Sequence, residues 1–341
     1  MAKAPRSLAG LSIAITGGAR GIGRATAAAL IAQGARVAIG DIDASLAQST
    51  AEQLGAGTVG LPLDVTNHDS FAGFLDQVES RLGPLDVLVN NAGIMPVGPF
   101  LEETDATAKR MVDINLHGVI FGSKLALERF VPRGRGQLVN IASLAGKGGV
   151  PNLATYCATK HAVVGLSESL RLELAGTGVG VTVVMPVGVN TELYSGLQQM
   201  RGIKTPEPED VAEAIVEALQ TGRYEVYVPK RMNAVIRLGA LLPRRVADAV
   251  ANAIGSNEVI KHPDHAARAA YEARMEQTIA ASQPSDPEPA KEPEPDAAPE
   301  PTPVAPDAER EPEAATSEPA APTPAAAPTP DAAREPQQQA V

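Results

Sequence analysis

The segment LSIAITGGARGIG, residues 11–23, decides the fold of this chain. Its first six residues form a short apolar run, which predicts a buried β-strand that ends at Thr16. Four glycines follow within eight residues, and the chain then passes directly into a helical pattern from about Ile22 to Gln33. A glycine-rich turn between a strand and a helix lets the backbone approach a pyrophosphate, which also meets the free N–H groups of the helix. The segment therefore predicts a dinucleotide-binding unit.

The same alternation continues along the chain. Further apolar runs that predict strands lie at 35–41, 58–65, 85–93, 136–143, 179–186 and 223–229, and helical patterns such as 67–82 and 106–130 separate them. Strands rich in Val, Ile and Leu that alternate with helices indicate a parallel sheet covered on both faces. We predict a doubly wound, Rossmann-like α/β fold of about seven strands, with the ligand at the carboxyl ends of the strands.

Composition limits the classes of function. The chain has 341 residues and a single cysteine, Cys157, so an intrachain disulfide is excluded, and its five histidines are scattered without a ligand pattern. We therefore predict no metal site. No apolar run is long enough for a signal peptide or a spanning helix, and we expect a cytoplasmic protein. Apart from its C-terminal tail the chain is nearly neutral, which argues against nucleic acid as a partner.

Three regions follow from composition: a catalytic domain over 1–229, a helical extension over 230–280 and a tail over 281–341. The tail holds 16 of the 29 prolines and 13 acidic residues against three basic ones. Such a segment buries little apolar surface, so we predict disorder. Residues 230–245 carry five positive and no negative charges between apolar residues. This pattern fits a helix on an anionic membrane surface, or a helix packed on the body or between subunits.

Two residues near the glycine-rich turn bear on the choice of cofactor. Asp41 ends the second predicted strand, 18 residues after Gly23. A carboxylate there accepts hydrogen bonds from the adenosine ribose and repels a 2′-phosphate, which favours NAD over NADP. Arg20 is the opposing signal, because it could pair with a 2′-phosphate. Asp41 could also be a simple turn residue ahead of the next helix.

The stretch TYCATKH, residues 155–161, places Tyr156 four residues before Lys160. In a helix these two side chains share a face. A neighbouring cation favours the phenolate, so we predict a lowered pKa for Tyr156 and proton exchange with an alcohol oxygen near neutral pH. The alternative is an amphipathic helix with a half-buried tyrosine and a surface lysine.

Taken together, the motifs resemble those of the short-chain dehydrogenase/reductase family, over roughly residues 8–228. The motifs are TGGARGIG (16–23), LDV (63–65), NNAG (90–93), DINLHG with Asn115, NIASLAG with Ser143, and Tyr156 with Lys160. The resemblance implies that Tyr156 is the catalytic acid and base and that Lys160 lowers its pKa and holds the nicotinamide ribose. It further implies that Ser143 binds the substrate oxygen and that Asn115 holds a water that links Lys160 to solvent.

The resemblance also implies a set of cofactor-binding residues. They are Gly17, Arg20, Gly21, Ile22, Gly23, Asp41, Asp64, Val65, Asn91, Ala92, Gly93, Tyr156, Lys160, Pro186, Val189 and Thr191. Asn90 would mainly brace its strand. One departure from the family pattern is Val187, which stands where a glycine is usual after Pro186, with Gly188 one place later.

The predicted substrate pocket lies between Ile94–Val97, Leu144–Pro151 and a mobile lid after Thr191. Apolar lid residues, among them Leu193, Tyr194, Leu197 and Met200, favour an apolar substrate, although they could equally serve lid packing.

We predict an NAD-dependent oxidoreductase of a secondary alcohol or ketone. The alternatives are an NADPH-dependent 3-oxoacyl reductase of lipid synthesis and a non-catalytic NAD-binding scaffold that acts through its tail. The resemblance implies a homodimer or homotetramer through the helices at 106–130 and 156–175.

Overall fold

The computed structural model describes residues 5–199, 204–239, 241–243, 245, 246, 249, 260 and 263–280. The predicted disorder of 281–341 and the predicted lid role of Met200 lie outside the described residues.

Seven parallel strands form one sheet in the order β3-β2-β1-β4-β5-β6-β7. The strands are β1 (Ser12–Thr16), β2 (Arg36–Asp41), β3 (Val59–Pro62), β4 (Val87–Asn90), β5 (Gly136–Ile141), β6 (Val179–Pro186) and β7 (Glu225–Val228). The chain runs outward from β1 to β3 and then crosses back to β4, beside β1. This reversal opens a crevice at the carboxyl ends of the strands. The doubly wound sheet predicted from the alternation of strands and helices is confirmed.

Helices cover both faces of the sheet. They are α1 (Gly21–Ala32), α2 (Ala44–Leu54), α3 (His68–Leu82), α4 (Asp105–Val112), α5 (Gly118–Phe130), α6 (Ala154–Glu173), α7 (Pro208–Thr221), α8 (Met232–Gly239) and α9 (His265–Ala280). Because successive side chains of a strand point to opposite faces, β1 contributes to two cores. Ile13 and Ile15 pack with residues of α1 and α7, whereas Ala14 packs with residues of α3 and α5.

Local chemistry fixes where several helices begin. The Asp43 carboxylate accepts a hydrogen bond from the Leu46 N–H at 3.0 Å and caps α2. Asn67 caps α3 in the same way. At α7, Glu207 and Asp210 form a reciprocal capping box, and Pro208 stands at the first helical position. These side chains satisfy backbone donors that a helix start otherwise leaves free.

One predicted element is wrong in detail. The helical pattern at 106–130 predicted a single helix, but a π-helical turn over Asp113–His117 separates α4 from α5. Such a turn takes i→i+5 bonds and adds one residue, which rotates the side chains on its two sides relative to each other. Asn115 lies within this turn and is fully buried. The apolar periodicity of the sequence does not register one extra residue in a long helix.

Two helices of the extension pack on the body. Met232 of α8 and Arg268 of α9 are buried, and both helices belong to the same compact unit as the sheet. Within the part of the chain that the structure describes, no helix is both long and apolar enough to cross a membrane.

Candidate active site

A cavity of about 1650 Å³ lies at the carboxyl ends of the strands. It extends from the glycine-rich turn after β1, past the loops after β4, β5 and β6, to α8 and α9. Every residue predicted to bind the cofactor lines it except Gly23, and every residue predicted to be catalytic lines it except Asn115. Folding therefore brings together predicted site residues that lie as far apart in the sequence as Gly17 and Thr191.

The glycine-rich turn leaves no room for side chains. A Cβ atom on Gly17, which has a φ of +61°, would lie 2.9 Å from the Ala92 Cα. A Cβ on Gly23 would lie 2.2 Å from the Gly17 carbonyl oxygen. Gly23 thus lets α1 pack against the turn, although it does not line the cavity. The Asn91 amide donates to the carbonyls of Thr16 and Gly17, both at 2.9 Å, and ties the loop after β4 to the turn.

Asp41 and Arg20 lie at one end of the cavity. The Asp41 carboxylate accepts hydrogen bonds from the Ala19 N–H at 3.2 Å and the Asp43 N–H at 3.3 Å. Burial raises the pKa of Asp41, and these hydrogen bonds oppose that rise. The Arg20 guanidinium lies between two other carboxylates, 3.4 Å from Asp43 and 3.6 Å from Glu192. Its charge is therefore already partly compensated within the chain.

Asp64 and Val65 are held by side-chain contacts. The Asp64 carboxylate accepts from the Thr66 N–H at 2.9 Å and the Thr66 hydroxyl at 2.7 Å. Val65 packs directly against Gly118, where a Cβ would lie 3.0 Å from its side chain. Both residues line the cavity, as Asp41 does.

Helix α6 brings Tyr156 and Lys160 into the centre of the cavity. Both side chains are buried, at 8% and 5% exposure, and the Lys160 Nζ lies 5.6 Å from the centroid of the Tyr156 ring. The Lys160 ammonium donates to the Ile141 carbonyl at 3.0 Å, at the end of β5. Ser143 follows that strand, and its side chain hydrogen-bonds the Tyr156 phenol. The alternative of a surface lysine beside a half-buried tyrosine is wrong.

The predicted lowering of the Tyr156 pKa is also wrong for this structure. Burial raises the pKa of Tyr156, and the hydrogen bond with Ser143 only partly offsets this effect. Burial likewise lowers the pKa of Lys160 to about 8. The sequence spacing predicts correctly that the amine lies near the phenol, but it does not show that both groups are buried, and burial disfavours the charged form of each.

Asn115 lies behind the loop after β4. Its amide nitrogen donates to the Ile94 carbonyl at 2.9 Å, and its oxygen accepts from the Ile94 N–H at 2.8 Å. A Cβ on Gly93 would lie 3.2 Å from the Asn115 oxygen and 3.7 Å from the Lys160 Nζ. Gly93 therefore lets the π-helical turn and Lys160 approach the same strip of backbone. Asn90 is buried and bonds Asn140 at 2.9 Å, as a brace between β4 and β5.

The segment after β6 accommodates the unusual Val187. Its N–H donates to the Val228 carbonyl at 2.9 Å, so β6 and β7 remain joined where the family pattern has a glycine. Gly188 is the position that has no room, because a Cβ there would lie 2.2 Å from the Tyr194 ring. Pro186, Val189 and Thr191 line the cavity beyond Tyr156.

The substrate side of the cavity is mostly apolar. From the predicted pocket, Ile94, Met95, Leu144, Ala145, Val150, Leu193 and Tyr194 line it. Val97 and Leu197 pack in the apolar cluster behind these residues.

The sequence reasoning missed one wall of the cavity. Helix α9 contributes Tyr271, Arg274, Met275, Gln277 and Thr278 to the lining. Only its helical pattern could be read from the sequence, and that pattern does not show which way the helix faces. Tyr271, one of only five tyrosines in the chain, was the available signal.

Comparison with known proteins agrees with this geometry. Residues 12–202 match the sequence profile described as short chain dehydrogenase. The chain belongs to the short-chain dehydrogenase/reductase family, and it is an oxidoreductase of that family that acts on CH–OH groups.

Two relatives and one solved structure show how similar the chain is to known proteins. The chain is 38% identical over 191 residues to a sorbitol dehydrogenase of Cereibacter sphaeroides, a match that covers 56% of this chain and 75% of the relative. It is 37% identical over 223 residues to 2-(S)-hydroxypropyl-CoM dehydrogenase 3 of Xanthobacter autotrophicus, a match that covers 60% of this chain and 87% of the relative. A short chain dehydrogenase/reductase of Burkholderia phymatum, solved in complex with NAD, superposes on this chain with a TM-score of 0.63 at 26% identity. The superposition covers 69% of this chain and 94% of that protein.

Proposed function

We propose that this protein transfers a hydride between NAD(H) and a secondary alcohol or ketone whose body is apolar. The observation that carries the proposal is that Tyr156, Lys160 and Ser143 meet in a cavity that begins at the glycine-rich turn. A proton-transfer group and a dinucleotide cradle in one cavity are what this reaction needs.

The residues around the turn fit a dinucleotide. The backbone at Gly17 is bare and close to Ala92, and α1 presents the free N–H groups of its first turn to the cavity. We assign the adenosine ribose to Asp41, the nicotinamide ribose to Lys160, and the nicotinamide end to Pro186, Val189 and Thr191. When bound, the nicotinamide exchanges a hydride with the carbon that bears the reacting oxygen.

Tyr156 moves the proton in this proposal. In ketone reduction its phenol donates to the carbonyl oxygen, and in alcohol oxidation its phenolate takes the hydroxyl proton. Burial, which raises the pKa of Tyr156, keeps the phenol protonated at neutral pH and so favours the donor role. Ser143 holds the reacting oxygen. Lys160 and Asn115, which meet at Gly93, link the phenol to solvent through a water, which resupplies the proton in reduction and removes it in oxidation.

NAD is the proposed cofactor rather than NADP. The carboxylate of Asp41 is fixed by two backbone N–H groups at the end of β2, where an added 2′-phosphate would meet a negative charge. Arg20, the one residue that favoured NADP, is paired with Asp43 and Glu192. Because of these pairs, the Arg20 guanidinium is less able to compensate the negative charge of a 2′-phosphate.

An apolar substrate is supported by the cluster around Tyr156. Met95, Leu153 and Ile260 are buried there, and Leu193 and Tyr194 of the lid pack against them. Burying a hydrocarbon body against this surface contributes about 0.8 kcal/mol per methylene.

A peripheral membrane contact through 230–245 is a second proposal, and exposed leucines in α8 and just after it favour it. Leu238 is 65% exposed and Leu241 is 81% exposed. Co-sedimentation of the full chain with anionic vesicles, lost on Leu238→Asp with Leu241→Asp, supports the contact. No binding by the unmodified chain excludes it.

The principal test is a screen of secondary alcohols and ketones, including long-chain and polycyclic ones, with NAD(H) and NADP(H). We expect a change in nicotinamide absorbance with NAD or NADH for apolar members of the panel. Binding of NADH without turnover of any member would instead support the scaffold alternative, and a strong preference for NADPH would support the 3-oxoacyl reductase.

A further inference from the structure

Helix α9 is anchored to two of the three segments that form the substrate side of the cavity, the loop after β4 and the segment after Thr191. The Arg268 side chain is fully buried. Its guanidinium donates to the Ser195 carbonyl at 2.9 Å, the Leu193 carbonyl at 3.2 Å and the Met95 carbonyl at 3.3 Å. It also pairs with Glu272 at 3.2 Å. A buried guanidinium needs such a set of partners, so it fixes the helix and the two loops relative to one another.

Tyr271 lies one turn further along the same helix. Its phenolic oxygen accepts a hydrogen bond from the Met95 N–H at 2.7 Å, and its ring lies 5.1 Å from the Arg268 guanidinium carbon. The phenol is therefore held both at its ring and at its oxygen. A side chain held in this way can make a further hydrogen bond at little cost in conformational entropy.

The hydroxyl of Tyr271 still has its own proton to donate. A phenol is one donor as well as an acceptor, and the bond from Met95 uses only the acceptor. Among the residues that the structure describes, none accepts the Tyr271 proton in a hydrogen bond. Tyr271 lines the same cavity as Tyr156, and a charge on Tyr271 would raise the pKa of Tyr156, so the two phenols lie within electrostatic reach.

We propose that Tyr271 is a specificity-determining residue that donates a hydrogen bond to a second oxygen of the substrate, near the oxygen that faces Tyr156. This inference rests on the proposed function and narrows its substrate class to secondary alcohols or ketones with a neighbouring oxygen, such as vicinal diols and 2-hydroxy ketones. The apolar body of the substrate lies against Met95, Leu153 and Met275. Arg268 is the positioning residue that holds the Tyr271 helix in place.

The test compares two probes that differ by one hydroxyl, octane-1,2-diol and octan-2-ol. Each is titrated by calorimetry into the full chain saturated with NADH, where an alcohol binds without being oxidised. The measured quantity is the ratio of the two dissociation constants, octan-2-ol over the diol. We expect this ratio to be about fivefold larger in the unmodified protein than in Tyr271→Phe, as one hydrogen bond is worth roughly 1 kcal/mol.

Two further variants complete the experiment. Tyr224→Phe removes the hydroxyl of a phenol outside the cavity whose ring stacks on Arg171, and the ratio for this variant should equal that of the unmodified protein. Arg268→Lys keeps the positive charge but loses the planar guanidinium that donates to several carbonyls at once. The ratio of dissociation constants in this variant should fall towards that of Tyr271→Phe. An unchanged ratio in Tyr271→Phe, or an NADH complex that binds neither alcohol, overturns the assignment. If the ratio falls as expected while no alcohol in the screen is oxidised, the proposed function fails and the role of Tyr271 in binding stands.

Discussion

The two halves of the cavity are built in different ways. The cofactor half consists of short segments that directly follow β1, β2, β3 and β4, and hydrogen bonds between their side chains and the nearby backbone hold them in place. The substrate half is assembled by one helix, whose Arg268 reaches carbonyls that are 75 and 173 residues away in the sequence. The first half is thus a property of the sheet, and the second depends on α9.

This difference has a physical consequence. Strand ends in a parallel sheet are fixed by many backbone hydrogen bonds, so a single side chain adds little to the shape of the cofactor half. In the substrate half, a few side chains provide the contacts, so single substitutions should change substrate binding and leave cofactor binding intact. The predictions below test that separation.

Tyr156→Phe should have the largest effect on activity. Loss of a group that transfers a proton typically costs 10²–10⁴-fold in rate, and we expect kcat/KM to fall by about 10³-fold. The measurement is steady-state turnover of the best alcohol or ketone from the screen.

The matched binding measurement is titration of NADH, followed by its fluorescence. Because Tyr156 contributes at most a hydrogen bond to the cofactor, the dissociation constant should change by less than about tenfold. Near-normal turnover in this variant contradicts the proposed role of Tyr156.

Arg268→Met should weaken substrate binding and leave cofactor binding nearly unchanged. Without the guanidinium, three carbonyls lose their donor, and we expect the free energy of unfolding to fall by about 3 kcal/mol. The KM for the substrate should rise while the dissociation constant of NADH stays within about twofold. Urea unfolding, steady-state kinetics and NADH titration measure these three quantities. An equal loss of cofactor and substrate affinity would show that the halves are not independent.

Lys160→Met should change how stability depends on pH. Burial lowers the pKa of Lys160 from 10.5 to about 8, so the unfolded chain binds more protons than the folded chain between these values. The contribution of Lys160 to the free energy of unfolding therefore rises with pH in this window, by up to about 1.4 kcal/mol per pH unit. Urea unfolding of both proteins at pH 8 and pH 10 measures the difference. If the unfolding free energy of the unmodified protein minus that of Lys160→Met stays constant or falls between pH 8 and pH 10, the prediction is wrong.

Asp41→Ser should have a smaller effect, confined to the cofactor half. Removal of the carboxylate takes away its repulsion of a 2′-phosphate, and we expect the ratio of NADPH to NADH affinity to rise about tenfold. Asp43→Asn is the matched control, because it removes a neighbouring carboxylate that pairs with Arg20 at 3.4 Å. A larger rise in the control would mean that Arg20 governs the selectivity instead.

The same contrast explains how much could be predicted from the sequence. Thr16, Gly17 and Asp41 were placed correctly because strand patterns and glycine-rich turns are local and their geometry follows from backbone chemistry. The lowered pKa predicted for Tyr156 failed because desolvation depends on every group packed around the phenol. Tyr271 escaped notice because it reaches the cavity only when α9 packs against the loop after β4, and no local pattern encodes that contact.

Deuterium transfer tests the central claim most directly. The full chain and Tyr156→Phe are each incubated with NAD and secondary alcohols that carry deuterium on the hydroxyl-bearing carbon, and the nicotinamide is examined by mass spectrometry. We predict that the unmodified protein transfers the label to the nicotinamide, and that Tyr156→Phe lowers the rate of this transfer by about 10³-fold. Transfer at the same rate in both proteins, or bound NAD that takes no label from any alcohol, would contradict the account.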